Sequence, residues 1–275
     1  MAISLSNLKS SKSNKPPICL FYAGDGDCKT SLASEFPSPI YLRTDGEEPP
    51  SDVPEMPTAD ITCWDDIESV IGQLLEEEHE FKTVIVDTID GIAPFVEAVT
   101  AQRIGAASVN DNSKGSPAAF GNGYKESEVE WGHFMAGCEA LSRAGMNVVL
   151  LGHREIRNFK SPTTDPYDMY DVALNKRAAP VVRARCDVVA FMNRRVTLKE
   201  KEVSRNSKVT HAEGGKEIQI LTVGGAGFHA KNRFGMPDAV TYRRGHGYSE
   251  LAKYFPGGEK HNPTGANDNA QRETP

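Results

Sequence analysis

Leu20 to Pro37 reads LFYAGDGDCKTSLASEFP, and this stretch decides the fold. Before its centre comes a short aromatic and β-branched run, ICLFY (Ile18–Tyr22), and after it a segment of helical character stopped by Pro37. Strand, permissive loop, then Lys29-Thr30 at the start of a helix is the order in which a phosphate-binding loop is built. In such a loop the backbone N–H groups at the helix N-terminus wrap the phosphates. The lysine adds a point charge, and the Ser/Thr hydroxyl holds Mg2+. The pattern is G-x-x-x-x-G-K-[ST], but Ala23 and Cys28 stand where the two glycines belong. Ala23 is a mild change. Cys28 adds a Cβ where the backbone turns tightly, while Gly24 and Gly26 keep part of the loop permissive. The nucleotide-contacting residues expected from this alignment are Gly24, Asp25, Gly26, Asp27, Cys28, Lys29, Thr30 and Ser31.

A magnesium-dependent site of this kind also needs a carboxylate at the end of an adjacent buried strand. TVIVDT (Thr83–Thr88) supplies Asp87 there, so Thr30 and Asp87 are the expected Mg2+ ligands and ATP the expected cofactor. Further apolar strands are expected over PIYL (39–42), ADITC (59–63), NVVLLG (147–152) and DVVAFMN (187–193). Helical spacing marks the segments from Trp64, from Gly91 and from Tyr124 to Gly145. Alternation of apolar strands with helices predicts an α/β fold with a mainly parallel sheet. Strand-like EIQILTV and GFHAK predict an antiparallel C-terminal extension. Residues 105–123 and HREIRNFKSPTTDPYDMY (153–170) read as long loops, the first of them mobile, and Pro180 should kink or split the helix around it. The expected division is an N-terminal arm over 1–15, one domain over 16–255 and a disordered tail over 256–275.

The chain of 275 residues is 39% hydrophobic and 25% charged, enough for a sizeable core. No apolar run approaches the roughly 20 residues of a membrane helix, and the polar start lacks a secretory apolar segment. No membrane association is expected. The expected location is the cytoplasm. Five scattered cysteines without C-x-x-C spacing argue against a disulfide framework or a zinc site. The net charge of -7 hides an asymmetry. Residues 1–175 carry 13 Lys and Arg against 28 Asp and Glu, whereas residues 176–253 carry 16 against 7. Such asymmetry predicts a basic face that meets a polyanion or an acidic neighbour.

Beyond the loop, FKTVIVDTIDGI, GNGYKESEVEW, GMNVVLLGHREIRNF, RCDVVAFM and AKNRFGMP follow one another in an order that resembles the RecA-like P-loop ATPases. More narrowly, the chain resembles the phage-encoded AAA-type ATP-binding proteins of the Sak-type single-strand annealing and recombination group. The resemblance covers about residues 16 to 245. It implies a RecA-like P-loop NTPase core: a mainly parallel central sheet flanked by helices. It places Asp45, in YLRTDGE, where the family has the glutamate that polarises the attacking water. It makes His153, at the end of VVLLGH, the sensor of the γ-phosphate. It makes Lys231 and Arg233 a pair inserted into a neighbouring subunit's site.

The resemblance also implies self-association in a ring or filament, single-stranded DNA as partner and a single-strand-binding protein as a further one. In such proteins two loops face the DNA. The loop after His153 carries Arg154, Arg157, Phe159 and Lys160, cations with an aromatic, suited to backbone contact and base stacking. The loop after Ile104 offers only Lys114 and Phe120. The function implied is ATP-dependent single-strand annealing or recombination. The alternatives are a nucleotide-binding regulatory or assembly module with little turnover, and a helicase-like motor or helicase loader.

Overall fold

The computed structural model describes residues 14–258 apart from 45, 205 and 206, and over 196–213 the backbone alone. The expected N-terminal arm and C-terminal tail thus fall almost wholly outside the described residues. The spine is β1 (Ile18–Ala23), every residue of which is inaccessible to solvent. A strand buried on both faces reads as a continuous apolar run, which is why ICLFYA carries no polar alternation. Its even residues, Ile18, Leu20 and Tyr22, point into one core, and Cys19, Phe21 and Ala23 into another.

Around it lie β2 (Pro39–Thr44), β3 (Thr58–Ile61), β4 (Thr83–Asp87), β5 (Asn147–Phe159) and β7 (Val188–Ser204). They form a parallel array in the order β7-β1-β5-β4-β2-β3. Antiparallel strands complete the sheet: β6 (Tyr167–Val172) on β5, and β8 (Ser207–Leu221) and β9 (Lys231–Asn232) on β7. Finally β10 (Ala239–Tyr242) pairs with β8. Helices α2 (Trp64–Glu76), α3 (Ala93–Ile104), α4 (Asn122–Arg143) and α5 (Ala178–Arg185) cover one face. The short α1 (Lys29–Ser34) and α6 (Gly247–Ala252) cover the other. The fold class is the expected one: α/β, a mainly parallel central sheet flanked by helices, with an antiparallel C-terminal extension. No described helix is long and apolar enough to cross a membrane.

Three local expectations are corrected. HREIRNFKSPTTDPYDMY is not a loop throughout. β5 runs on to Phe159 and turns back as β6, in a hairpin whose register runs from Arg154–Val172 to Phe159–Tyr167. Beyond Gly152 the strand leaves the core, so it lost the apolar run that marks its first half. Cross-strand contacts such as Phe159 on Tyr167, ring centroids 5.3 Å apart, sustain it instead. Pro180 neither kinks nor splits α5. It is the third residue, in the first turn, where its missing N–H has no helical partner to lose. GFHAK is strand only from Lys231, so Arg233 lies one residue beyond β9. The loop over 105–121 is anchored: Val109 and Ala118 are buried, and Gly123 packs on the Val109 backbone with no room for a Cβ.

Glu35, at the end of α1, fastens the last segment of the chain. It accepts hydrogen bonds from the Tyr242 hydroxyl (2.9 Å) and from the backbone N–H groups of Gly245 (2.7 Å) and Tyr248 (3.0 Å). Glu35→Ala strands these donors. It is expected to lower the unfolding free energy by about 2 kcal/mol in a denaturant titration. Amide hydrogen exchange should then accelerate in α6 before it does in β1.

Candidate functional site

The parallel strands bring the C-terminal ends of β1, β2, β4 and β5 to one rim, the place where α/β sheets bind ligands. The phosphate loop leaves β1 after Ala23 and enters α1 at Lys29. Gly26 has φ 72°, and Cys28, the residue before the helix, has φ 63° and ψ 29°. Cys28 therefore adopts the left-handed conformation for which glycine is the usual choice, at a cost of about 1–2 kcal/mol. The loop keeps a glycine-type shape without the glycine. Lys29 is nearly buried, its Nζ 3.5 Å from the Gly24 carbonyl oxygen.

Thr30 Oγ1 donates to Asp87 Oδ2 at 2.7 Å, and the Tyr41 hydroxyl donates to the same oxygen at 2.8 Å. Burial pushes the Asp87 carboxyl above the ordinary carboxylate range, against the bonds from Thr30 and Tyr41 that pull it down. Its other oxygen, Oδ1, is buried and has no hydrogen-bond partner among the described residues. A buried, unsatisfied carboxylate oxygen beside a threonine hydroxyl suits a hard cation. Thr30 and Asp87 fit Mg2+ held jointly by protein and phosphates. Among the described residues, no cluster of three or more His, Cys, Asp or Glu side chains forms a metal cage. Behind Asp87, Thr44 Oγ1 donates to the Asp87 carbonyl (3.1 Å) and accepts from the Thr88 N–H (3.0 Å). Gly91 lies so close to Thr44 that a Cβ could not be added.

His153 sits beside Ala23 in the β1–β5 register. Its Nδ1 is 2.7 Å from Asp90 Oδ2, and its backbone N–H donates to Asp90 Oδ1 at 2.9 Å. The other nitrogen, Nε2, faces Asp25 Oδ1 (3.6 Å) and Glu47 Oε1 (3.8 Å). The hydrogen bond to the Asp90 carboxylate raises the His153 pKa despite partial burial. Burial pushes Asp90 upward, but its bonds from His153 outweigh this and leave it below the usual range. Asp45 lies outside the described residues. The acid seen in the site is Glu47, two positions on, raised by burial and by the Asp87 charge.

Three arginines surround the loop. Arg154 donates to Asn193 Oδ1 (3.0 Å), lies over the Tyr170 ring, and packs on Gly24, where an added Cβ would meet it at 3.0 Å. Arg194 holds Asp27 and the Gly26 carbonyl. Arg244 reaches Ser31 Oγ (3.2 Å) and Cys28 Sγ (3.9 Å) and pairs with Asp52. Of the residues expected on DNA, Phe159 and Lys160 are exposed on the β5–β6 hairpin. Arg157 turns inward to Glu155, buried Asp171 and the Leu174 carbonyl. Lys231 and Arg233 converge on the Ala184 carbonyl oxygen, at 3.0 and 3.3 Å, and Arg233 also pairs with Asp187. Asp187 lies next to Ile18, at the opposite end of β1 from the loop. Sequence reasoning missed Asp90, Glu47, Tyr41, Arg194 and Arg244. For Asp90 and Glu47 a signal existed, since they flank the expected acids within three residues.

A family model described as an AAA domain matches residues 15–234. The chain belongs to this AAA domain family. Its core places β5 between the loop strand β1 and the acid-bearing β4. No curated protein matches the chain. Among solved structures, a RadB recombinase is similar at 14% identity, over 76% of this chain and 89% of that one, with a TM-score of 0.37. The flagellar accessory protein FlaH from Methanocaldococcus jannaschii is similar at 8% identity, over 83% and 85%, also at 0.37. At that TM-score neither likeness bears on function.

In an NMR titration His153 is expected to hold its proton to higher pH than an exposed histidine, and Asp90→Asn to bring that pKa down. The fold favours the protonated imidazole. Its contribution to stability is therefore complete below the ordinary imidazole pKa and is lost as pH rises through the raised value. That slope should vanish in Asp90→Asn.

Proposed function

We propose that the chain binds Mg-ATP in this loop and hydrolyses it at contacts between its own copies. On this reading it binds single-stranded DNA and promotes annealing or recombination. The observation that carries the nucleotide half is the Thr30–Asp87 bond with the unpartnered Asp87 oxygen beside it. When bound, Mg2+ would neutralise phosphate charge. Thr30 and Asp87 would hold it, and Lys29 with the backbone N–H groups of the loop would grip the phosphates. A water-orienting acid must reach the γ-phosphate, the role the family resemblance gives to Asp45. Glu47 is the acid whose place beside His153 is seen, and we assign the role to it. Burial raises its pKa, which makes it a stronger proton acceptor than an ordinary carboxylate. His153, held by Asp90 through Nδ1, would offer Nε2 to a phosphate oxygen.

By strand register Lys231 is level with Leu20 and Arg233 with Ile18, three and five residues back from Ala23 or roughly 10 and 16 Å along the strand, and both reach the Ala184 carbonyl, so in their own chain they do not meet the loop. Action on a nucleotide would be in trans, which is what ties the reading to a ring or filament. The DNA half is supported by the exposed Phe159 and Lys160 and by the basic balance of residues 176–253. Arg154 and Arg157, expected to touch DNA, would instead tie the hairpin to the loop and to Asp171.

The deciding measurement is ATP hydrolysis with and without a single-stranded oligonucleotide. The wild-type rate should rise with DNA, and Lys29→Ala should lose on the order of 100-fold or more. Glu47→Gln should bind ATP normally yet hydrolyse it no faster than Lys29→Ala, whereas Asp45→Asn should stay near wild type. Absence of hydrolysis in the wild type under any DNA condition rejects the enzymatic reading. Oligonucleotide affinity should fall with salt, and Lys160→Ala should reduce the log–log slope by about 0.7. No binding at low salt removes DNA from the proposal.

A further inference from the structure

Cys28 adopts a backbone conformation that costs a β-carbon-bearing residue more than glycine, and such a conformation persists only where its surroundings over-determine it. The side chain of Cys28 makes no capping bond to α1. Its Sγ lies 3.9 Å from Arg244 Nη2, and the two loop residues before it are held from β7. Met192 is level with Ala23, the last residue of β1, and Arg194 lies two residues further on, at a register shift in the β7–β8 ladder. Such irregularities re-aim side chains. Here the guanidinium lies across the loop. Nε donates to Asp27 Oδ1 at 2.8 Å, Nη2 to the Gly26 carbonyl at 2.8 Å, and Nη1 to the Gly215 carbonyl of β8 at 3.1 Å.

Two effects follow. The Gly26–Asp27 peptide is pinned at both ends: its carbonyl accepts from Arg194 and its N–H donates to the Gly24 oxygen at 3.3 Å. A fixed peptide here fixes the turn that carries the other loop amides, the groups that cradle phosphate. Second, Asp27 is 5% exposed, a carboxylate all but buried in a loop that should receive a polyanion. A buried charge without a partner is strongly unfavourable, and it would also repel the triphosphate. Arg194 cancels it.

We propose that Arg194 is a positioning residue for the nucleotide, which supplies from β7 the restraint that the loop lacks without a glycine at position 28 and neutralises Asp27 before the phosphates arrive. The inference rests on the nucleotide reading above. Arg194 acts through the loop and touches no reacting atom.

The test is Mg-ATP binding by calorimetry to the full chain, with thermal unfolding run alongside. Arg194→Ala should bind about 10- to 100-fold more weakly, the scale of lost hydrogen bonds to charged groups. In that background Cys28→Gly should recover part of the loss, because glycine adopts the left-handed conformation without strain. Asp27→Asn should recover part independently, because it removes the unpaired charge. A purely structural role predicts neither recovery. If Arg194→Ala fails to fold, Arg194→Lys serves instead: it keeps the charge but cannot bridge Asp27 and Gly26 together, and a several-fold loss is expected. Affinity equal to wild type in a folded Arg194 variant overturns the inference, as does the absence of any recovery in both double variants. A wild-type chain that binds no Mg-ATP overturns the nucleotide reading and this inference with it.

Discussion

Thr30 and Asp87 are 57 residues apart, and the 2.7 Å bond between them depends on most of the fold. The start of α1 must turn inward, β4 must end level with it, and β5 must separate β1 from β4 without pushing them apart. β5 meets both demands because Val148 to Leu151 are buried on both faces, in register with β1 on one side and β4 on the other. A one-residue slip of β4 would turn Asp87 to the opposite face of the sheet. The apolar pattern of three strands thus fixes the position of a single carboxylate.

This explains what the sequence could reveal. β1, β4 and the first half of β5 are apolar runs, and each gives way at its C-terminal end to a residue that the nucleotide reading assigns to the site: Gly24, Asp87, His153. Core burial and site placement share one signal there. The second half of β5 had none. Outside the core its residues are chosen for cross-strand neighbours up to 18 positions away, and single-sequence periodicity cannot register a partner. Arg194 and Arg244 were invisible for the same reason. Their counterparts, Asp27 and Ser31, lie 167 and 213 residues earlier. Pro180 misled because its effect depends on which turn of a helix it occupies, and helix starts are poorly marked where no capping side chain is present, as at Arg177.

The charge asymmetry also acquires a partner within the chain. The acidic first part and the basic last part meet around the loop: Asp27 with Arg194, Asp52 with Arg244, and Glu35 with the backbone amides before and within α6. Part of the basic excess of residues 176–253 is therefore spent on an internal acidic neighbour, and only the remainder is free for a polyanion. The antiparallel extension is the second wall of the phosphate loop.

The same strand that carries His153 continues without a break into the hairpin. Arg154 packs on Gly24, Arg157 is held by buried Asp171, and Phe159 reaches solvent, all within six residues of His153. The hairpin is held by backbone pairing from Arg154–Val172 to Phe159–Tyr167 and by cross-strand side-chain contacts. His153 is thus joined to the exposed Phe159 by continuous paired strand, and Lys160 follows one residue beyond β5.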